Sequence, residues 1–104
     1  AIAAAKAGII GLTLSAAASY APYRVRVNCV APGLVRTPLS AAITQSETAS
    51  KISTALHPLG RLGEPDDVAG AIEWFLSPVQ SWITGQVLGV DGGMGCLQPR
   101  VSVA

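Results

Sequence analysis

The chain has 104 residues, 50% of them hydrophobic, and its mean hydropathy of +0.47 excludes an intrinsically disordered protein. Only 12% of the residues are charged, the net charge is +1, and the lysines and arginines are scattered, which argues against nucleic acid as a partner. Cys29 and Cys96 lack C-x-x-C or histidine-paired spacing. They predict free thiols in a reducing compartment and no metal site.

The first predicted element is a helix over residues 3–20. Its residues are good helix formers, and large apolar side chains lie on nearly every face, which predicts a helix buried on two sides. Pro22 ends this helix. Residues 24–30 then alternate polar with apolar side chains at period two, which predicts a strand that stops at Pro32-Gly33.

The same N-terminal stretch permits an export or membrane interpretation. Lys6, the apolar residues 7–14 and the small residues 16–19 imitate the three regions of a signal peptide, and residues 1–21 are about long enough to span a bilayer. However, alanine is only weakly apolar, and the lysine, hydroxyl residues and glycines make a poor span. We therefore expect no membrane partner and a cytoplasmic location, and keep an exported or membrane-anchored protein as a third hypothesis.

The remaining elements continue the alternation of helix and strand. Residues 39–56 are mostly small and polar with sparse apolar anchors, which predicts one or two short helices. After a loop at 57–63, residues 64–67 (Glu-Pro-Asp-Asp) predict the start of a helix that runs to Ser77, because proline suits the first turn and carboxylates suit its N-terminus. Residues 86–90 predict a strand closed by a turn at 91–93, followed by an irregular tail at 94–104.

This order of elements predicts an α/β fold. Helix, strand, helix, strand implies a right-handed crossover and a parallel strand pair. Two parallel strands cannot cover both of their faces, so the piece needs neighbouring elements. The sequence also opens in what looks like a helix interior, without an N-cap or an initiator methionine. We therefore expect the C-terminal part of a larger parallel sheet.

The loop after the first predicted strand is the candidate ligand site. In open α/β sheets a ligand lies outside the carboxyl ends of the strands, and residues 32–37 occupy that place. Pro32 fixes the chain direction, Gly33 lets the backbone approach a flat ring, and Thr37 offers a hydroxyl. Without further information, the same residues also suit an ordinary strand-ending turn.

Two segments resemble the catalytic helix and the nicotinamide loop of the short-chain dehydrogenase/reductase family. They are residues 2–8 (Ile-Ala-Ala-Ala-Lys-Ala-Gly) and 28–37 (Asn-Cys-Val-Ala-Pro-Gly-Leu-Val-Arg-Thr). Residues 60–65 and 85–93 look most like bacterial-type members related to 3-oxoacyl carrier-protein reductases. The resemblance extends to Gly93 and implies that residues 1–104 are the C-terminal fragment of a single NAD(P)-binding, Rossmann-like domain with a doubly wound parallel sheet.

The resemblance also implies roles for five residues. Lys6 would be catalytic, bonding the nicotinamide ribose hydroxyls of NAD or NADP and holding positive charge near the reacting oxygen. Pro32 and Gly33 would line the nicotinamide pocket, while the Val35 backbone and Thr37 would bond the carboxamide. The implied protein is an oxidoreductase that acts on a small-molecule ketone or secondary alcohol and assembles as a homo-dimer or homo-tetramer.

One position departs from the family's pattern. The family has a tyrosine four residues before the lysine, and Ile2 stands there in this chain. Isoleucine cannot donate a proton. The glycine-rich turn and the upstream serine of the family are also not found in these 104 residues. We therefore expect this 104-residue chain to be incomplete and inactive alone. The alternative is a non-catalytic chain of the same fold that serves as an oligomer or structural subunit.

Other polar and aromatic residues are interpreted as structural. His57 lies in a loop without triad spacing, Asp66 and Asp67 suit a helix start, and Asp91 suits the terminal turn. Trp74, Phe75 and Trp82 are predicted to form a core or subunit contact.

Overall fold

The computed structural model describes residues 1–98. In chain order the elements are α1 Ile2–Tyr20, β1 Cys29–Pro32, α2 Ala41–Thr44, α3 Glu47–Ala55, α4 Pro65–Leu76 and β2 Val87–Val90, with short 3-10 turns at Ala21–Tyr23 and Pro78–Gln80. The two strands form one sheet. The Cys29 N–H donates to the Gln86 carbonyl at 2.8 Å and the Gly33 N–H to the Val90 carbonyl at 3.0 Å, so the pairing advances in the same direction along both strands. The predicted α/β class and parallel pair are confirmed.

The chain divides into two compact units. The first comprises Ala1–Val30 and Ile72–Leu88, and the second comprises Ala31–Ala71 and the residues from Gly89 onward. In the first unit the buried side chains are Thr13, Ala17 and Phe75, and in the second they are His57 and Leu62. Each unit therefore has only a small core, which agrees with the expectation that two strands alone cannot cover their faces.

α1 is confirmed as a helix, but its predicted burial is wrong for the described residues. Leu12 and Leu14 expose 68% and 51% of their surface, and only Thr13 and Ala17 are buried. A helix that is apolar on nearly every face needs partners on several sides, and the first unit offers few. The buried Thr13 hydroxyl donates to the Ile9 carbonyl at 2.8 Å. By length and composition alone, the segment Ile2–Tyr23 could also cross a bilayer, with a hydropathy of 1.5.

The first strand starts later than predicted and includes Pro32. β1 spans Cys29–Pro32 and not residues 24–30, because strand pairing requires backbone partners as well as alternation. Before Cys29, a side chain takes the place of a backbone acceptor from the neighbouring strand, because the Val27 N–H donates to the Thr84 hydroxyl at 3.1 Å. The Asn28 carboxamide similarly accepts from the Gln86 N–H at 3.0 Å.

The later elements agree with the sequence. α2 and α3 confirm the prediction of short helices within 39–56. α4 begins at Pro65, and the Asp67 carboxylate accepts from the Glu64 N–H at 2.7 Å, which is half of a capping box. The Asp91 carboxylate accepts from the N–H groups of Gly93 and Gly95 at 2.9 and 3.0 Å, which confirms its role in the terminal turn. Of the predicted irregular tail, residues 94–96 lie in a turn and residues 97–98 have no regular structure, while residues 99–104 lie outside the described residues.

The predicted core role is confirmed for Phe75, whereas Trp74 is 45% exposed, and a subunit contact of Trp74 and Trp82 stays a prediction. The rings of Trp74 and Phe75 have centroids 5.2 Å apart, and Phe75 is buried. Trp82 is 97% exposed and belongs to no core in the chain as described. Both cysteines are free thiols, as predicted.

Candidate functional site

The turn that follows β1 is fixed by hydrogen bonds at all but one of its backbone amides. Four backbone N–H groups of residues 33–37 donate to groups of this chain: that of Gly33 to the Val90 carbonyl (3.0 Å), that of Leu34 to His57 Nε2 (3.2 Å), that of Arg36 to the Gly63 carbonyl (2.9 Å) and that of Thr37 to Ser40 Oγ (3.0 Å). Within residues 1–98, the N–H of Val35 has no protein acceptor. Val35 is half-buried, and its N–H is left to be satisfied by water or by a ligand.

Ser40 organises the far end of this turn. Its hydroxyl donates to the Val35 carbonyl and accepts from the Thr37 N–H. In return, the Thr37 hydroxyl accepts from the Ser40 N–H at 3.2 Å. This exchange between residues three apart is the reciprocal pattern of a capping box. Sequence reasoning missed Ser40, although the Thr-x-x-Ser spacing is a signal that could have found it.

Gly33 allows a close approach, and the groups that approach it belong to this chain. A Cβ added at Gly33 would lie 2.8 Å from His57 Nε2, 3.0 Å from Asp91 Cβ and 3.1 Å from Asp91 Cα. The sequence analysis attributed the glycine at this position to the close approach of a flat ligand ring to the backbone. The structure gives Gly33 a second reason to be glycine, because His57 and Asp91 pack against its backbone.

His57 is the buried polar centre of the second unit. Only 3% of its surface is exposed. Its Nδ1 lies 2.6 Å from the Ser53 carbonyl, so Nδ1 carries the proton, and Nε2 is left to accept the Leu34 N–H at 3.2 Å. Both ring nitrogens therefore meet backbone groups, and the absence of a catalytic role for His57 stays a prediction. Its link to the turn could not be seen from sequence, because the two segments are 23 residues apart.

A cavity of about 330 Å³ opens beside the turn in the second unit. Its walls include Gly33, Leu34, His57 and Asp91, together with the ion pair of Arg61 and Asp67.

The ion pair of Arg61 and Asp67 is bidentate, with distances of 2.8 and 2.9 Å between guanidinium nitrogens and carboxylate oxygens. The Arg61 guanidinium, helped by the Glu64 N–H, holds the pKa of the Asp67 carboxyl well below its usual range, and Asp67 raises the pKa of Arg61. The opposite charges of Arg61 and Asp67 therefore neutralise each other on this wall of the cavity.

The five sequence-predicted site residues lie in two places. Pro32, Gly33, Val35 and Thr37 are brought together at the end of β1 and in the turn after it, in the second unit. Lys6 lies exposed on α1 in the first unit. Ile2 is four residues earlier on the same face of α1 and is 74% exposed. The helical spacing expected of the proton-donor and lysine positions is therefore present, with an apolar side chain at the first of them.

Comparison with known proteins gives consistent matches over most of the chain. A sequence-family model described as enoyl-(acyl carrier protein) reductase matches residues 1–95. The 3-oxoacyl-[acyl-carrier-protein] reductase of Thermotoga maritima is 44% identical over 92 residues, which is 88% of this chain and 37% of that protein. The chain thus spans little more than a third of the length of this relative.

Solved structures agree with the sequence match. An NADP-bound protein of Agrobacterium tumefaciens, provisionally assigned as a 2-deoxy-d-gluconate 3-dehydrogenase, is 34% identical with a TM-score of 0.86, over 90% of this chain and 38% of that one. The NADH complex of a 4-hydroxyisoleucine dehydrogenase is 29% identical with a TM-score of 0.87, over 91% of this chain and 39% of that one. These matches confirm the Rossmann-like fold, and the chain belongs to the short-chain dehydrogenase/reductase family of oxidoreductases.

Proposed function

We propose that the protein is an NAD(P)-dependent oxidoreductase that interconverts a ketone and a secondary alcohol. The observation that carries this proposal is the Val35 N–H, the one backbone donor of residues 33–37 without an acceptor in the described chain. A nicotinamide carboxamide has an oxygen that accepts such an N–H and an amino group that donates to a carbonyl or hydroxyl. The Val35 backbone and the Thr37 hydroxyl supply both kinds of partner, so these residues fit the group. The NADP and NADH complexes of the similar structures give further support.

Each site residue has a defined task in this proposal. The dinucleotide, when bound, supplies or accepts the hydride. Pro32 and Gly33 line the nicotinamide pocket, and Val35 and Thr37 orient the carboxamide. The Lys6 ammonium bonds the ribose hydroxyls and holds positive charge near the reacting oxygen, which favours the oxyanion form of a neighbouring group.

Proton transfer is the step that residues 1–104 do not provide. Ile2 occupies the position of the family's tyrosine and has no proton to give. We therefore infer that the 104-residue chain alone neither turns over nor binds a dinucleotide tightly. Calorimetric titration of this chain with NADH and NADPH tests the inference, and a micromolar dissociation constant for either would overturn it.

Substrate choice is assigned to residues 39–56. α2 and α3 lie there, directly after the candidate nicotinamide turn, and Leu39 is 97% exposed. The similar proteins act on unrelated substrates, a 3-oxoacyl carrier protein and a hydroxylated amino acid among them, so the substrate is proposed only as a small carbonyl or alcohol. Family membership also supports a cytoplasmic location and a homo-dimer or homo-tetramer, with the exposed apolar side chains of α1 as candidate contacts.

The second candidate is a non-catalytic chain that keeps the fold as an oligomer or structural subunit. Ile2 and the exposed apolar residues of α1 favour it. The two candidates differ in dinucleotide binding by the complete gene product.

The deciding experiment is a titration of the complete gene product with NADH and NADPH, alongside Lys6→Ala and Lys51→Ala. We expect binding of at least one dinucleotide, weakened by Lys6→Ala because the ribose loses its ammonium partner. Lys51→Ala removes the same charge from α3 and should leave dinucleotide affinity unchanged. Binding that is absent, or insensitive to Lys6→Ala, would favour the non-catalytic subunit.

A further inference from the structure

The His57 ring joins two segments of the second unit. Nε2 accepts the Leu34 N–H of the turn after β1, and Nδ1 donates to the Ser53 carbonyl near the end of α3. With 3% of its surface exposed, the ring has little freedom to leave these partners.

The hydrogen bonds of His57 fix the peptide unit that precedes the free donor of the turn. Leu34 is held from both sides, since its N–H meets His57 and its carbonyl accepts from the Gly63 N–H at 2.9 Å. The next amide in the chain is that of Val35. The Val35 N–H shares its peptide plane with the Leu34 carbonyl, and the plane before it carries the Leu34 N–H, so the bond from Gly63 and the bond to His57 together set the direction of the Val35 N–H.

We propose that His57 is a positioning residue that aims the Val35 N–H at the nicotinamide carboxamide and couples this donor to α3. The inference rests on the proposed function, because it takes the ligand of the turn to be a nicotinamide dinucleotide. His57 itself touches neither substrate nor cofactor in this role. It acts through the Leu34 amide, and its bond to the Ser53 carbonyl holds the ring against α3.

Two substitutions separate the bonds that the ring makes. Gln places its terminal oxygen two bonds beyond Cγ, as histidine places Nε2, so His57→Gln keeps an acceptor for Leu34. Asn places its amide nitrogen one bond beyond Cγ, as histidine places Nδ1, so His57→Asn keeps a donor for Ser53 and loses the acceptor for Leu34. Loss of one buried hydrogen-bond partner corresponds to about a tenfold change in an equilibrium constant.

The test uses the complete gene product and measures the Kd for NADH and NADPH, the KM and kcat with a carbonyl substrate, and the melting temperature. We expect His57→Asn to raise the dinucleotide Kd about tenfold and His57→Gln to restore most of the affinity. Thr13→Val serves as the control. It removes a buried side-chain hydrogen bond in the first unit, and it should lower the melting temperature while leaving the Kd unchanged.

The outcomes separate this inference from the proposed function. If the wild-type protein binds a dinucleotide and His57→Asn binds it equally well, the positioning role is wrong and the oxidoreductase proposal stands. If Thr13→Val weakens binding as much as His57→Asn, the effect is one of stability and the positioning role is again overturned. If the wild-type protein binds no dinucleotide, both proposals fail together.

Discussion

Replacing Gly33 by alanine should destabilise the protein, although no backbone strain is involved. Gly33 is not among the glycines with positive φ, so alanine can adopt its backbone conformation. The difficulty is space, because the new methyl carbon would lie 2.8 Å from His57 Nε2 and 3.1 Å from Asp91 Cα. One of these contacts is to backbone, so the histidine ring or the end of β2 must shift.

The expected magnitude follows from three terms. Overpacking at a well-filled site costs about 1–3 kcal/mol. A displaced His57 ring loses its bond to the Leu34 N–H, which costs about 0.5–1.5 kcal/mol. The lower chain entropy of unfolded alanine offsets about 0.4–1 kcal/mol. We therefore expect a net loss of about 2 kcal/mol in the free energy of unfolding.

Urea unfolding of the complete gene product measures this loss, with Gly70→Ala as the matched control. Gly70 lies inside α4 in the same unit, and an added Cβ there meets nothing within 4 Å. The same chemical change should therefore stabilise the protein by about 0.5–1 kcal/mol, since alanine is the better helix former. If Gly33→Ala were as stable as Gly70→Ala, the packing of His57 and Asp91 against this turn would be refuted.

Three further changes probe other parts of the chain. Asp67→Asn should lower stability near neutral pH by removing the pair with Arg61. Because the pKa of Asp67 is lowered in the folded state, the wild-type advantage should be full above about pH 4 and shrink in more acidic urea titrations; a pH-independent gap would contradict this. Ser40→Ala frees the Val35 carbonyl and the Thr37 N–H, and should weaken dinucleotide binding by about fivefold in a fluorescence titration. Ile2→Tyr restores a proton donor beside Lys6 and should raise the rate of carbonyl reduction in the complete gene product, and an unchanged rate would show that this position does not face the reacting oxygen.

Most of the fold was predictable because its signals are local. The start of α4 follows from a proline at its first position and acidic residues in its first turn, and the Asp91 turn follows from the two glycines after it. The start of β1 was not predictable, since alternation marks extended backbone without identifying the partner that pairs with it. The exposure of α1 was missed for a related reason, because apolar composition does not reveal which neighbours are present to cover it.

The sequence by itself determined the family, the α/β order and the residues 32–37 as the candidate site, because these depend on residue types at fixed short spacings. Only the tertiary structure decided which atoms of that turn are free. His57 and Gly63 are 23 and 29 residues from Leu34, and they satisfy its N–H and carbonyl, while the Val35 N–H has no acceptor among residues 1–98. Hydrogen-bond satisfaction depends on contacts between distant segments, and one sequence does not record which segments meet.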